Sequence, residues 1–348
     1  MKFDLISVMS IFVVSRIKMN GNAKTMTRIA IKKYLRILAV YSRQNIFASE
    51  DSKQALPRNY HRWYDKEMNI GCHISIAEGI GNAPERAHDL ECECFQIFSR
   101  SPQGGRTPEL TPEVVEYFKE EMRRTGITNA YIHAPYYINF ASTNNRIRYG
   151  SVSVIRDELE RGSALGVKYI ITHLGSGKDL GKEAGIKKAA EMLAQVFDGY
   201  RGSAKLLIEN SAGAGDVIGD TFAEIKAIID SLASDHIAGV CLDTQHSFAS
   251  GYDWRTPESF NETTTRIDRE IGLDLIKVMH ANDSMTPLGS RLDRHEHIGA
   301  GYIKEEGFRL IIALANERNI DMILETKHPD VKNDIRFLKL FRDKLING

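Results

Sequence analysis

Eight short apolar runs recur along the chain from residue 69 onward, and each closes on or beside a polar or charged residue. Loops bearing Gly or Pro and amphipathic stretches separate the runs. Near-continuous apolar runs are typical of strands buried on both faces, as in a parallel sheet covered by helices. The predicted strands are residues 70–75, 94–98, 130–133, 169–173, 206–209, 239–243, 275–280 and 322–325.

The segments between these runs carry the signals of amphipathic helices. After the second run, Thr111 and Pro112 provide an N-cap and a first-turn proline, Phe118 and Met122 mark an apolar stripe, and Gly126 provides a stop. Eight alternating strand–helix units predict an α/β fold, a single-domain (β/α)8 TIM barrel over residues 69–348. An open doubly wound sheet is the alternative, but no Gly-x-Gly-x-x-Gly fingerprint follows the first strand.

Residues 1–68 differ in composition and are expected to form an N-terminal extension outside the barrel. Residues 1–67 contain 13 Lys and Arg against 5 Asp and Glu. A basic, acid-poor leader resembles an organelle transit segment, but a translation start near Met68 is the preferred explanation. The protein is expected to be intracellular: cytoplasmic, at the nucleoid, with the later start, or in an organelle with a genuine leader. The apolar run at residues 5–14 is too short to span a membrane, which takes about 20 residues.

The rest of the chain is acidic and poor in cysteine. It holds 33 Lys and Arg against 41 Asp and Glu, so any binding of nucleic acid must rest on local features such as bound metal. The four cysteines are too sparse for a disulfide framework and are expected to be reduced and buried. Cys92 and Cys94 could form half of a metal site, but no second cysteine pair completes it.

The residues that close the predicted strands are types that bind metal ions. Active sites of such barrels lie at the C-terminal ends of the strands, so these side chains should converge. The loop at residues 281–302 shows no helical or strand period, yet it exceeds the ~12–15 residues usual for an unstructured loop. Asp293 and His295 within it are two residues apart and could share an ion. The nine candidates are His133, His173, Glu209, Asp243, His246, His280, Asp293, His295 and Glu325.

This set of His and carboxylate side chains is too large for one ion and suits two or three. Zinc takes three or four such ligands at about 2 Å, and a cluster without cysteine favours zinc or manganese. Each residue has an ordinary alternative: a single strand-end His is more often a hydrogen-bond partner in the core, and Asp243 could be a helix N-cap. Residues 293–295 could be a solvated turn. All of these alternatives must hold together for the metal interpretation to be wrong.

Several short motifs resemble the endonuclease IV family, the zinc apurinic/apyrimidinic endonucleases, from about Asn69 to the C-terminus. They are HLGSG at 173–177, IENSAG at 208–213, DTQH at 243–246, GYD at 251–253, HAND at 280–283, GSRLDRH at 289–295 and LET at 324–326. The resemblance implies a DNA repair enzyme that hydrolyses the phosphodiester 5′ to abasic sites in double-stranded DNA. It would leave a 3′-hydroxyl and a 5′-deoxyribose phosphate.

The resemblance also implies three Zn²⁺ ions per chain, with Mn²⁺ able to replace one or more, and it implies Glu209 and Glu325 as catalytic carboxylates. Glu209 would bridge two of the ions. The family pattern assigns His133, His173 and Glu209 to the first ion, Glu209, Asp243, His280 and Glu325 to the second, and His246, Asp293 and His295 to the third.

Contacts with DNA are implied at two residues. Tyr136 matches a family position that contacts DNA near the lesion. The loop at residues 101–106 lacks the family's usual Arg and Trp, and Arg106 is its remaining candidate for a DNA contact. Gln245 stands where the family often has Cys, at a position that is not a ligand.

Two other functions remain open at this stage. A sugar isomerase or epimerase of the xylose isomerase type also places metal ligands at strand ends, but it needs one ion and has no use for His246, Asp293 and His295. A metal-stabilised binding protein would load with metal and leave DNA intact. A monomer is expected, because no separate interface element stands out.

Overall fold

Eight parallel strands close into a barrel in the computed structural model, which describes residues 68–327 and 329–347. The strands are β1 (Ile70–Ile74), β2 (Cys94–Phe98), β3 (Asn129–His133), β4 (Tyr169–Thr172), β5 (Lys205–Glu209), β6 (Ile237–Asp243), β7 (Ile276–His280), β8 (Asp283–Ser284), β9 (His295–Glu296) and β10 (Asp321–Leu324). β1 to β7 follow one another around the barrel, and β10 closes it between β7 and β1. The predicted (β/α)8 fold and its eight strands are confirmed.

Nine helices surround the barrel in the described residues. They are α1 (Ala83–Asp89), α2 (Pro112–Thr125), α3 (Asn145–Leu165), α4 (Lys182–Phe197), α5 (Phe222–Leu232), α6 (Thr244–Ala249), α7 (Pro257–Glu270), α8 (Lys304–Arg318) and α9 (Val331–Asn347). The boundary signals act as expected at α2: the Thr111 side chain accepts a hydrogen bond from the Val114 amide, and Gly126 ends the helix with a left-handed φ of 73°.

The apolar core has two layers, because each strand has one face toward the barrel axis and one toward the helices. The inner layer is a small cluster that fills the barrel, whereas the larger layer lies between the strands and the helices. Complete burial of each large aliphatic side chain contributes about 1.5–3 kcal/mol to folding. The inner layer consists of Cys94, Tyr131, Ile171, Leu207, Cys241, Val278 and Ile323.

The N-terminal end of the barrel is closed by a polar network centred on Asp321. Its carboxylate accepts hydrogen bonds from the Asn69 side chain at 2.9 Å, the Tyr131 hydroxyl at 2.7 Å and the Asn129 side chain at 2.5 Å. These donors satisfy a buried charge, which would otherwise be costly at that depth. The carboxyl ends of the strands lie at the opposite end of the barrel, where active sites of this fold are found.

Two expectations need correction. The loop at residues 281–302 contains the antiparallel pair β8 and β9, which shows no alternating pattern because each strand has only two residues. Met68, assigned from sequence to the extension, is fully buried, and its carbonyl accepts a hydrogen bond from Arg342. The extension itself, residues 1–67, lies outside the described residues and stays a prediction. Among the described helices, none combines the length and apolar character needed to cross a bilayer.

Candidate metal centre

The nine predicted ligands all lie around the C-terminal mouth of the barrel. Four are the last residues of β3, β5, β6 and β7, and two follow β4 and β10 directly. The last three lie in α6, beside β9 and in β9. Glu209, Asp243 and His280 are at most 1% exposed, so they are removed from water at the base of the site. The side chains form three groups, named here the first, second and third ligand groups.

Glu209 joins the first and second groups through its two different oxygens. In the first group, Oε2 lies 2.9 Å from His133 Nε2 and 3.4 Å from His173 Nε2. In the second group, Oε1 lies 3.0 Å from His280 Nδ1. A carboxylate that presents one oxygen to each group has the arrangement needed to bridge two cations.

The second group is completed by two more carboxylates around His280. Glu325 Oε2 lies 3.4 Å from His280 Nδ1, and Asp243 Oδ2 lies 3.8 Å from the same nitrogen. Asp243 also acts as the N-cap of α6, because its Oδ1 accepts a hydrogen bond from the His246 amide at 2.7 Å. The N-cap interpretation of Asp243 and the ligand interpretation are therefore compatible.

The third group is a nearly equilateral triangle of donor atoms. His246 Nε2 lies 3.3 Å from His295 Nε2 and 3.4 Å from Asp293 Oδ1, and the third side, between His295 Nε2 and Asp293 Oδ1, measures 3.3 Å. A tetrahedral zinc site with bonds of about 2.0–2.1 Å has ligand atoms about 3.3–3.4 Å apart. These residues therefore fit a tetrahedral ion. Asp243 also approaches this triangle, with its Oδ2 3.8 Å from His295 Nε2.

Hydrogen bonds fix which ring nitrogen of three histidines faces the centre. His133 Nδ1 donates to the Ala134 carbonyl at 2.6 Å, and His246 Nδ1 donates to the Asn210 carbonyl at 3.0 Å. His280 Nε2 donates to Gln96 Oε1 at 2.8 Å. The remaining nitrogen of each ring faces its ligand group and offers a lone pair to a cation once the ring is neutral, which is how metal-binding histidines are usually oriented.

Three amide side chains that sequence reasoning missed hold these ligands in place. Gln96 lies in β2, and its Nε2 donates to Glu325 Oε1 at 2.8 Å. Asn282 Nδ2 donates to Asp243 Oδ2 at 2.7 Å, and Asn210 Oδ1 accepts from the Asp243 amide at 2.7 Å. Asn210 directly follows the predicted ligand Glu209, and Asn282 lies two residues after the predicted ligand His280. This proximity in sequence is the signal that could have identified them.

Electrostatic coupling in the centre is strong. Burial opposes protonation of His246, but the charges of Asp243, Asp293 and Glu209 outweigh it and raise its pKa well above the usual range. Burial likewise favours a neutral Glu325, yet the neighbouring His280 charge lowers the pKa of Glu325 to about 2. Protons therefore compete with a cation for the ring nitrogens of this centre.

Cys241 is a further donor that sequence reasoning left out of the site. It lies two residues before Asp243 in β6, so both side chains point to the same face. Its sulfur lies within 4.8 Å of donor atoms of Glu209 and His280. Burial is the main reason that the pKa of the Cys241 thiol is raised to about 12. The thiol is therefore neutral and lies next to the second group without adding charge to it.

The two residues assigned to DNA contacts lie on loops at the same end of the barrel. Tyr136, in the loop after β3, is 68% exposed, and its ring centroid lies 5.2 Å from that of Phe98. Partial burial of its hydroxyl and the charges of Glu325 and Glu209 raise the pKa of Tyr136 to about 12. Arg106 is an exposed residue of the β2–α2 loop. Neither residue belongs to the three ligand groups.

Comparison with known proteins gives the family. The family model for a xylose isomerase-like TIM barrel matches residues 84–341. A protein of Methanoculleus marisnigri described as probable endonuclease 4 is 40% identical over 266 residues, covering 76% of this chain and 94% of its own length. A protein of Nitrosopumilus maritimus with the same description is 38% identical over 274 residues, covering 78% of this chain and 98% of its own.

The chain belongs to the endonuclease IV family. The chain is therefore a nuclease, a hydrolase on a TIM barrel, as the sequence motifs indicated. The crystal structure of endonuclease IV from Thermus thermophilus is 34% identical, covers 80% of this chain and 100% of its own, and has a TM-score of 0.70. A D-tagatose 3-epimerase-like protein is 21% identical with a TM-score of 0.61, a likeness that shows only the shared fold.

Proposed function

We propose that this chain incises double-stranded DNA on the 5′ side of abasic sites, using three divalent ions, and that these are zinc. The products would be a 3′-hydroxyl and a 5′-deoxyribose phosphate. Manganese in place of one or more ions is compatible with the His and carboxylate donors. Two of the four carboxylates, Glu209 and Glu325, are the proposed catalytic residues.

The observation that carries this proposal is the third ligand group. An isomerase or epimerase with a single ion would need only the second group, in which Glu209, Asp243, Glu325 and His280 meet. The triangle of His246, Asp293 and His295 would then be surplus, although its sides of 3.3–3.4 Å match the spacing of a tetrahedral zinc site. A phosphodiester reaction has a use for it, because an additional cation can stabilise the negative charge that develops on the leaving oxygen.

Bound divalent ions supply activated water near neutral pH, neutralise the phosphate charge and stabilise the leaving oxygen. The chain's contribution is geometric. Glu209 holds the first two groups in register through its two oxygens, which fixes the spacing between them. The Ala134 carbonyl and Gln96 each accept a ring proton, from His133 and His280 respectively, so the other nitrogen of each ring stays directed at the centre. The site therefore needs little rearrangement when phosphate enters.

Charge explains how an acidic barrel could hold DNA. The four carboxylates of the three groups contribute about −4, and three divalent ions would bring the centre to about +2. Attraction of phosphate would then be confined to the mouth of the barrel and would depend on metal. A metal-free centre would lack this positive charge and the attraction that comes with it.

Preference for an abasic nucleotide follows from the energy of extrusion. Flipping a nucleotide out of the duplex costs a few kcal/mol, and the cost is least when the base is damaged or missing. The exposed ring of Tyr136 stands at the edge of the centre, 6.2 Å between ring centroids from His133. We expect Tyr136 to contact the extruded sugar or its neighbours, and Arg106, on the β2–α2 loop, to contact the DNA strand.

Incision of a duplex carrying one tetrahydrofuran abasic mimic tests the proposal. The purified protein, with its metal content measured by plasma mass spectrometry, should contain three ions and make one cut 5′ to the mimic. Asp293→Asn should lower the incision rate at least about 100-fold, since it removes a charged donor of the third group. Asp235→Asn is the matched control, because Asp235 is exposed and precedes β6 at the opposite end of the barrel.

A protein that carries one ion and leaves the duplex intact would contradict the proposal and favour a sugar isomerase or epimerase. A protein that carries three ions without any incision would indicate a metal-stabilised binding protein. Equal incision by the Asp293→Asn and Asp235→Asn variants would remove the third group from the mechanism.

A further inference from the structure

Gln245 links the helix and the loop that supply the third ligand group. We propose that it is the positioning residue of this group, and that it sets the affinity of one ion without affecting the others. The inference rests on the proposed function, because it assumes that the third group holds an ion. The sequence shows Gln245 where the family often has Cys, at a position that is not a ligand. The contacts of its side chain give it a role in this chain.

The first contact joins His246 to Asp293. Gln245 directly precedes His246 in α6, and its Nε2 donates to the Leu292 carbonyl at 2.8 Å. That carbonyl belongs to the peptide unit that leads into Asp293. One hydrogen bond therefore connects the backbone beside one ligand with the backbone beside another, across 47 residues of sequence.

The second contact joins the same amide to His295. Gln245 Nε2 also lies 3.3 Å from Ser284 Oγ, and Ser284 is the residue paired with His295 in the β8–β9 ladder. The amide nitrogen thus reaches the neighbours of both loop ligands. Few other side chains at this position could do so, because two donor hydrogens on one atom are needed at the end of a side chain of this length.

The loop depends on this link because one of its ligands has little packing of its own. The Asp293 side chain is 60% exposed, whereas that of His246 is 4% exposed. Backbone hydrogen bonds from Gly289 to Phe248 and from Arg291 to Ala249 tie the earlier part of the loop to α6. They stop short of Asp293, and the next backbone bond, from the Met285 amide to the Arg294 carbonyl at 3.0 Å, lies within the loop and does not reach α6. An Asp293 that was not tied to α6 would lose conformational entropy on binding a cation together with His246, which lowers affinity.

Packing alone does not account for an amide at this position. Gln245 is fully buried, and its Oε1 has no hydrogen-bond donor within the described part of the chain. Methionine has a similar length and volume and would fill the same space without leaving a polar atom unpaired. The two contacts of Nε2 are therefore what distinguishes glutamine from an apolar residue here.

Zinc titration of Gln245→Met against a competing chelator tests the inference. The wild-type protein should bind three ions, and the variant should bind one of them about 10–100-fold more weakly with the other two unchanged. Hydrogen exchange of a peptide spanning residues 285–296 should accelerate in the variant. Gln195→Met is the matched control, because Gln195 is an exposed residue of α4. It should leave all three affinities and the exchange unchanged.

The outcomes separate this inference from the proposed function. Fewer than three ions in the wild-type protein would defeat both. Three ions in each protein with equal affinities would defeat the role of Gln245 alone, and equal weakening of every ion would show a general effect on the fold. If Gln245→Met does not fold, Gln245→Asn, whose amide is one carbon too short, is measured in the same way. Failure of both variants to fold with zinc present would make Gln245 a core residue and overturn the inference.

Discussion

Replacing Gln96 with methionine should weaken metal binding at the second ligand group while leaving the barrel intact. Gln96 Oε1 accepts the Nε2 proton of His280, and Gln96 Nε2 donates to Glu325 Oε1, both at 2.8 Å. Methionine keeps the length of the side chain but removes both bonds. His280 would then lose the partner that holds its ring proton on Nε2. The tautomer with a proton on Nδ1, which cannot bind a cation through that nitrogen, would become populated.

The size of the effect follows from burial. Gln96 and His280 are both fully buried, so the orphaned Nε2–H of His280 cannot turn to solvent. Loss of a partner that orients a metal-binding histidine typically costs 10–100-fold in affinity, or about 1.4–2.7 kcal/mol. The metal-free fold should also lose about 1–3 kcal/mol, the cost of one unsatisfied buried polar group.

Competition with a fluorescent zinc chelator measures the affinity, and urea unfolding of the chelator-treated protein measures the stability. Gln195→Met, on the exposed face of α4, is again the control. Undiminished zinc affinity in Gln96→Met would show that the second group does not depend on the His280 tautomer. A loss of stability without a loss of affinity would restrict Gln96 to the core.

Three further outcomes are expected. Carboxylates raise the pKa of His246 despite the opposing effect of burial, so protons compete with metal there. The gain in melting temperature from zinc should therefore shrink as pH falls from about 8 to about 6, and a gain independent of pH would contradict this. Asp283→Asn should cost about 1.5–3 kcal/mol in urea unfolding, because the carboxylate accepts five backbone amide hydrogen bonds; a change under about 0.5 kcal/mol would refute it. Tyr136→Ala should raise KM for the abasic duplex at unchanged metal content, by an amount equivalent to about 1–3 kcal/mol of lost binding free energy. An unchanged KM would remove Tyr136 from the DNA surface.

The barrel and the convergence of its nine strand-end and loop residues could be predicted from sequence, because both follow from local pattern. An apolar run that closes on His280 or Glu209 shows the strand and its functional end in the same few letters. Because the carboxyl ends of all the strands meet at one mouth of a barrel, these residues are expected to converge there. Asp293 and His295 follow from another local pattern, a spacing of two residues in an extended segment.

The supporting amides could not be predicted, because their roles depend on contacts across the barrel. Gln96 in β2 reaches His280 and Glu325, which are 184 and 229 residues away in sequence. Nothing in an isolated stretch marks a glutamine as the partner of a distant histidine. Gln245 shows the same limit, because the Leu292 carbonyl that it holds belongs to a two-stranded loop whose ladder is too short to leave a pattern.

The two contacts of the Asp243 carboxylate link metal binding at the centre to a backbone amide of α6. One oxygen of this carboxylate caps α6 through the His246 amide, and the other points toward the second ligand group. A cation bound at the second oxygen would draw negative charge away from the oxygen that accepts this 2.7 Å hydrogen bond. The chemical shift of a single backbone nitrogen would therefore register the filling of the centre, without a probe being attached anywhere on the protein.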